Sequence, residues 1–245
     1  MSPRPKVNDD EILRYLENHT YDETQERFGI SRMTVARVKK RNKVRIMPNK
    51  IKLALVGCGN AASALVQGIE FYKSRKDNVG LLHPTLAGYH ISDIEIVAAF
   101  DVSSKKVGKP LNEALEANDL DVQAALDEVK ISVLMGETKD GIIEPTKELI
   151  QPSSEPSVNV AEEIQSAGAE IVLCLLPSGA DEAVEFYARA ALEAKCAFIN
   201  ATPTNIVNNP DLATKFKDAG LPLVGDDLQD QFGATILHKL ILQQM

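Results

Sequence analysis

Continuous apolar runs alternate along most of the chain with segments whose apolar residues recur at helical spacing. The first run, residues 51–56, precedes glycines and then a segment that places Ala64, Leu65 and Ile69 on one helical face. Because strands and helices alternate, the pattern predicts an α/β fold with a doubly wound, mostly parallel sheet. Further strands are predicted at residues 94–100, 130–136, 169–176, 196–201 and 221–224, and further helices at 103–117, 180–194 and 211–219.

The first 41 residues follow a different pattern, that of a small all-α unit. Asn8 is expected to cap a first helix, residues 21–28 form a second, and Gly29 breaks the chain before a third helix capped by Ser31. The third helix carries its apolar residues at Met33, Val35, Ala36 and Val38. The sequence therefore predicts two domains, residues 1–47 and residues 48–245.

The two predicted domains differ in charge. Residues 1–50 contain 12 Lys and Arg against 7 Asp and Glu, whereas residues 51–245 contain 15 against 28. Nine basic residues and no acidic one lie between Arg32 and Lys52. A basic stretch of this kind is typical of a surface that meets nucleic-acid phosphates.

The helix, glycine turn and helix between residues 25 and 41 resemble the helix-turn-helix of DNA-binding proteins. By that resemblance residues 1–50 bind double-stranded DNA, and a dimer or larger homo-oligomer is expected, because such units read paired half-sites. The alternative is a helical appendage with a solvated basic face. The residues expected at base edges are Arg32, Thr34 and Arg37, and those expected at the backbone are Lys39, Lys40, Arg41 and Lys43.

Composition excludes several classes of protein. In the 245 residues, 44% of them hydrophobic, no apolar run approaches the roughly 20 residues that a membrane-spanning helix needs. We therefore expect no membrane partner and a cytoplasmic protein. The three cysteines are widely separated in apolar segments, which predicts reduced, buried thiols and neither disulfides nor a metal site.

Glycines follow the first predicted strand and open the first predicted helix of the larger domain. Gly57, Gly59 and Ala62 fit the G-x-G-x-x-G/A pattern of Rossmann-like folds, in which bare backbone lets a diphosphate approach the amides of a helix N-terminus. The alternative is a tight strand-to-helix turn that binds nothing. In the context of strand and helix, the pattern favours a nucleotide ligand.

An acidic residue, Asp101, follows the second strand of this domain. A carboxylate there holds a ribose 2′-hydroxyl and repels a 2′-phosphate, which favours NAD over NADP. Residues 71–93 insert a polar loop, so Asp101 lies further along the chain from the glycines than the usual separation of about 20 residues. The alternative is that Asp101 caps a helix before Ser103. Other functional residues are expected at the carboxyl ends of the strands, at 177–179, 200–204 and 225–227.

Four segments resemble the myo-inositol-1-phosphate synthases, also called inositol-3-phosphate synthases. They are VGCGNAASALVQGIEFYK, HISDIEIVAAFDVSSKKVGK, FINATPTNIVNNP and GDDLQDQFGATILHK, in the family's order and within the part of the chain from residue 51 onward. The resemblance implies an NAD-dependent enzyme that oxidises glucose 6-phosphate at C5, enolises it, closes the ring by an aldol step and reduces the product. The implied small-molecule partner is a sugar phosphate.

The resemblance also assigns residues. It implies that Asp101 binds the adenosine ribose and that the remaining cofactor-binding residues are Gly57, Gly59, Asn60, Ala62, Ser63, Ser178, Gly179, Thr202 and Pro203. The implied catalytic residues, near the nicotinamide and the sugar, are Asn200, Asp226 and Asp227. Carboxylates and amides suit a carbon that gives up hydride, whereas the alternative for the acidic pair is a solvated strand-ending turn.

Two departures from the family pattern favour a second interpretation. Many members carry a lysine two residues after the GDD, where this chain has Gln229, and the family continues into a long segment beyond the position of Met245. That segment supplies further lysines for enolisation and ring closure. The alternative function is therefore a helix-turn-helix regulator whose larger domain senses NAD or a sugar phosphate.

Overall fold

The computed structural model describes residues 9–16, 19–41, 50–74, 79–81, 83–116, 126, 129–142, 147, 150–227 and 241. Its strands are β1 (Ile51–Val56), β2 (Thr85–Leu86), β3 (Tyr89–His90), β4 (Ile94–Asp101), β5 (Val133–Met135), β6 (Ile171–Cys174), β7 (Ala197–Asn200) and β8 (Leu223–Val224). Its helices are α1 (Asp9–Leu16), α2 (Tyr21–Phe28), α3 (Arg32–Arg41), α4 (Asn60–Ser74), α5 (Leu111–Glu116), α6 (Val160–Ser166), α7 (Asp181–Glu193) and α8 (Pro210–Asp218).

The chain forms two compact units. The smaller contains Met1–Asn49 and Val79–Asp93, and the larger contains Lys50–Asn78 and Ile94–Met245. Among the described residues, no helix is both long enough and apolar enough to cross a lipid bilayer.

Six parallel strands form the sheet of the larger unit, in the order β5-β4-β1-β6-β7-β8. The central strand β1 pairs with β4 from Ile51 opposite Ile94, and with β6 from Leu53 opposite Ile171. The first three of these strands in the chain extend to one side and the last three to the other, which is the strand order of the dinucleotide-binding folds. The predicted doubly wound, Rossmann-like sheet is confirmed.

Both faces of the sheet are covered by helices. Side chains alternate between faces along a strand, so Leu53 and Leu55 pack in a cluster with residues of α4 and α5. Ala54 and Val56 face the other side, where α6, α7 and α8 supply the packing partners. Burial on both faces explains why the strands are continuous apolar runs rather than alternating ones.

The chain after β4 differs from the predicted helix over residues 103–117. Residues 104–109 form turns, Gly108 has a φ of +79°, and α5 begins only after Pro110. Proline lacks the N–H that a helix interior needs, and its ring displaces the preceding turn. The neighbouring segment 150–153 is bonded to these turns, since the Ser104 N–H donates to the Gln151 carbonyl at 2.8 Å and the Ser153 N–H to the Val102 carbonyl at 2.8 Å.

The smaller unit contains three helices that contact one another pairwise. Ile12, Leu13 and Val38 form their shared core. Gly29 ends α2 in a left-handed conformation with a φ of +61°, as its position between two helices predicted. Met33 and Ala36, expected on the apolar face of α3, are exposed instead, Met33 by 64%. This unit also contains a hairpin of β2 and β3, which the polar sequence there did not predict.

Candidate functional site

A cleft of about 620 Å³ opens at the carboxyl edge of the sheet in the larger unit. Its walls come from the segments that follow β1, β4, β5 and β6 and from the first turns of α7. The chain order reverses between the neighbouring strands β1 and β6, and ligands of open α/β sheets bind at such a switch point. The predicted site residues in this wall are Gly57, Gly59, Asn60, Asp101 and Ser178.

The two glycines after β1 differ in what surrounds them. Gly57 has a φ of +87°, and a Cβ there would lie 2.9 Å from the Leu175 carbonyl oxygen. Its N–H donates to the Phe100 carbonyl at 2.9 Å. A Cβ at Gly59 would meet no atom within 4 Å. The fold itself therefore requires a glycine at Gly57, whereas at Gly59 the missing side chain leaves free space.

Helix α4 begins at Asn60, directly after Gly59, so its first N–H groups lie at the wall of the cleft. Ala62 and Ser63, the other two predicted diphosphate residues in this segment, are fully buried. The Ser63 hydroxyl accepts a hydrogen bond from Gln67 Nε2 at 3.0 Å. These two side chains therefore pack the helix rather than line the cleft.

Asp101 stands at the end of β4 and is nearly surrounded by hydrogen-bond donors. Its Oδ1 accepts from the Val102 and Ser103 N–H groups, each at 2.8 Å, and its Oδ2 accepts from the Cys58 N–H at 2.9 Å. Lys106 Nζ lies 3.7 Å from the same Oδ2. The carboxylate thus joins the glycine turn to the end of β4.

The segment after β5 forms a wall that sequence reasoning missed. Asp140 Oδ2 accepts from the Glu182 N–H at 2.8 Å and Oδ1 from the Ala183 N–H at 3.0 Å. Helix α7 begins after Ala180, which has no side-chain acceptor, so Asp140 supplies the missing cap. Only the folded chain brings Asp140 to a helix that begins 41 residues later.

The side chain of Tyr187, on α7, also lines the cleft and lies against Gly136 after β5. A Cβ at Gly136 would lie only 1.9 Å from the Tyr187 hydroxyl, so this glycine leaves room for the phenol. Burial raises the pKa of Tyr187, which is 2% exposed, above its usual range. Tyr187 therefore remains a neutral hydroxyl that lines the cleft.

A second polar cluster lies between the ends of β7 and β8. Asn200 Nδ2 donates to Asp226 Oδ1 at 2.7 Å and to the Thr204 carbonyl at 2.7 Å, and Asn200 Oδ1 accepts from Thr202 Oγ1 at 2.8 Å. The Asp226 carboxylate also accepts from the N–H groups of residues 206 and 207. The cluster therefore binds the loop after β7 to the end of β8.

The remaining predicted residues of that region, Pro203 and Asp227, are exposed. Gly179 follows Ser178 in the turn before α7, with a φ of +87°. Gln229, at the lysine position of the family pattern, lies outside the described residues.

On α3 the predicted DNA-binding residues have different environments. Arg32 and Arg37 are exposed, and Arg32 Nη1 lies 3.3 Å from Asp22 Oδ1. The Thr34 hydroxyl bonds to Ser31 Oγ at 2.9 Å, and the Thr34 N–H donates to the same oxygen at 3.1 Å, so this pair caps the helix. The side chains of Lys39, Lys40 and Arg41, and all of Lys43, lie outside the described residues.

The three cysteines are buried, as their apolar surroundings predicted. Burial raises the pKa of the Cys58 thiol, and it raises that of Cys174 to about 12. No group of three or more His, Cys, Asp or Glu side chains suited to a metal ion occurs among the described residues.

The buried thiols predict a loss of stability in alkali. Because the pKa of Cys174 is raised in the folded state, its contribution is complete below the unfolded pKa near 9 and declines as the pH rises toward 12. The free energy of unfolding that Cys174 contributes relative to Cys174→Ala should therefore be about 1 kcal/mol smaller at pH 10 than at pH 7.5. Urea unfolding of both proteins at both pH values measures this, and a constant difference would contradict the prediction.

No protein-family model matches the chain. The inositol-3-phosphate synthase of Corynebacterium glutamicum is 42% identical over 196 residues, which are 78% of this chain and 54% of that protein. The chain therefore spans about half the length of this curated relative.

Two crystal structures resemble the chain. A protein named Ari2 has a TM-score of 0.68 and 35% identity over 80% of this chain and 60% of its own. A myo-inositol-1-phosphate synthase-related protein from Thermotoga maritima has a TM-score of 0.66 and covers 80% of this chain and 59% of its own; at 21% identity it supports the fold alone. The curated relatives at about 40% identity, which the chain matches over about half of their length, are named inositol-3-phosphate synthase, and this supports the resemblance seen in the sequence.

Proposed function

We propose that the larger unit binds NAD in the cleft at the carboxyl edge of its sheet. The observation that carries the proposal is the open backbone at Gly59, next to the start of α4 and at the switch point of the sheet. A diphosphate fits there because its oxygens accept from helix N-terminal N–H groups and no Cβ blocks their approach. Gly57 fixes the turn, and Asn60 and Ser178 flank the same cleft.

We further propose that this unit serves an NAD-dependent conversion of glucose 6-phosphate to inositol phosphate. Similarity to the inositol-3-phosphate synthases supports the reaction class, and NAD would accept a hydride from the sugar and return it to the product. Asn200 and Asp226 would hold the end of β8 in place, while the exposed Asp227 carboxylate would face the sugar.

Calorimetry and product assay test the two parts of this proposal separately. NAD should release heat and raise the melting temperature of the full chain, and glucose 6-phosphate plus NAD should yield inositol phosphate. Heat without product would limit the function to nucleotide binding, as in the regulator hypothesis. If neither NAD nor NADP releases heat or shifts the melting temperature, the proposal is overturned.

A second candidate function is DNA binding by the smaller unit. The observation that favours it is the orientation of α3, which buries Val35 and Val38 and exposes Arg32 and Arg37. A recognition helix needs this division, with an apolar face toward its own unit and cations toward the duplex. A dimer would then place two such helices on paired half-sites, and NAD or a sugar phosphate would change its DNA affinity.

Substituting Arg37 tests this candidate on the full chain. Arg37→Ala should weaken binding to duplex DNA, and Arg27→Ala, on the exposed surface of α2, serves as the matched control. If Arg37 neutralises one phosphate, the slope of log affinity against log salt should fall by about 1. Mobility shifts over a salt series measure both effects. Wild-type protein that shifts no duplex at low salt would contradict the candidate, and NAD titration into the complex would reveal coupling.

A further inference from the structure

One residue of the glycine turn, Cys58, is held at both of its backbone polar groups by side chains from the end of β4 and from the turns that follow it. Its N–H donates to Asp101 Oδ2 at 2.9 Å, and its carbonyl accepts from Lys106 Nζ at 2.7 Å. Both side chains are largely buried, 11% exposed for Asp101 and 15% for Lys106. Hydrogen bonds that involve an ionised partner are stronger than neutral ones. The turn between Gly57 and Gly59 is therefore fixed from outside its own segment.

The same contacts leave the Asp101 carboxylate little capacity for a ligand. Three N–H groups and the Lys106 ammonium surround its two oxygens. A carboxylate has about four acceptor positions, and a ribose diol needs two of them. The nearby ammonium also offsets the negative charge that would repel a 2′-phosphate.

We propose that Asp101 and Lys106 are a positioning pair, which holds the glycine turn in the conformation that receives a dinucleotide. The pair acts through Cys58 and does not discriminate between NAD and NADP. This inference rests on the proposed nucleotide binding and replaces the role in ribose recognition that the sequence predicted for Asp101. Because the pair already holds these backbone amides in place, binding of the diphosphate loses less conformational entropy.

The two roles of Asp101 lead to opposite expectations for NADP. In Asp101→Asn, one amide oxygen can still accept from Val102 and Ser103, but the NH₂ group then faces the Cys58 N–H, donor against donor. A positioning residue predicts weaker binding of both dinucleotides. A ribose-binding residue predicts weaker NAD and stronger NADP.

The experiment compares four variants with the wild-type full chain. Asp101→Asn and Lys106→Met each remove one contact to Cys58, Lys106→Arg retains a donor, and Lys109→Met is the control because Lys109 is exposed and outside the cleft lining. Calorimetry well below the melting temperature gives the dissociation constants for NAD and NADP. Hydrogen exchange without nucleotide reports directly how firmly the amides of residues 57–59 are held.

Asp101→Asn and Lys106→Met should each bind both dinucleotides about tenfold more weakly or worse. Both should also exchange the amides of the glycine turn faster, while Lys106→Arg recovers most of the affinity and Lys109→Met matches the wild type. The inference is overturned if NADP binds Asp101→Asn more tightly, or if either variant changes only the melting temperature. If the wild type binds neither dinucleotide, the proposed function fails, and the exchange rates alone decide whether the pair holds the turn.

Discussion

Gly57→Ala will destabilise the larger unit by about 2–4 kcal/mol, because a side chain there meets both a strained conformation and a backbone atom. The φ of Gly57 is +87°, and the new methyl group would lie 2.9 Å from the Leu175 carbonyl oxygen. The turn cannot move aside without breaking the hydrogen bond from the Gly57 N–H to the Phe100 carbonyl, and Leu175 cannot move without breaking the bond from its own N–H to the Val56 carbonyl. Urea unfolding measures the loss.

Gly59→Ala is the matched control, because the same methyl group there meets nothing within 4 Å. Its free energy of unfolding should stay within about 0.5–1 kcal/mol of the wild type, because the φ of Gly59 is not positive and alanine can adopt the same backbone conformation. NAD affinity should nevertheless fall about tenfold or more, because the methyl group occupies the approach of the diphosphate. Unchanged affinity in Gly59→Ala would place the nucleotide elsewhere, and an undiminished stability in Gly57→Ala would contradict the packing argument.

Asn200→Ala will have a comparably large effect, on stability first. Asn200 is 1% exposed and makes hydrogen bonds through both ends of its amide, to Thr202, Thr204 and Asp226. Its removal leaves buried polar groups without partners, each costing about 1–3 kcal/mol, so we expect a total of about 3 kcal/mol or more. Urea unfolding of the folded variant measures it.

Asp227→Ala is the comparison for this substitution, since Asp227 follows the same strand but is exposed. Its removal should cost much less than that of Asn200, because an exposed side chain leaves no buried polar group behind. If turnover is detected in the wild type, a role in chemistry for Asp227 would appear as a loss of turnover without a loss of stability. A fully stable Asn200→Ala protein would show that the cluster serves chemistry rather than the fold.

The sheet could be predicted from the sequence because its strands are buried on both faces. Continuous apolar runs located all six strands, and β1 begins and ends where the pattern indicated. Helix α6 was missed, since its seven residues give too short a pattern to separate from the polar segment before it. The helix expected after Asp101 was too long, because Pro110 and the positive φ of Gly108 override its propensity.

The candidate site was predictable only where its residues lie close together in the chain. The glycine turn and Asp101 follow strands that sequence alone located, and the structure brings them into contact. The contacts of Lys106 with Cys58 and of Asp140 with α7 span long separations and leave no local pattern. The sequence likewise predicted an acidic residue, Asp101, for the nucleotide site, but it could not show how many hydrogen-bond donors already contact that carboxylate.

The cap on α7 has a consequence for how related sequences vary. Asp140 belongs to the segment after β5, yet its carboxylate completes a helix whose bonded N–H groups lie 42 and 43 residues further along. The close contact between these two segments also constrains Gly141, because a Cβ there would lie 2.6 Å from the Cβ of Ala180. A substitution in either segment therefore alters the selective pressure on the other, and we expect the two to covary among homologues as one evolutionary unit.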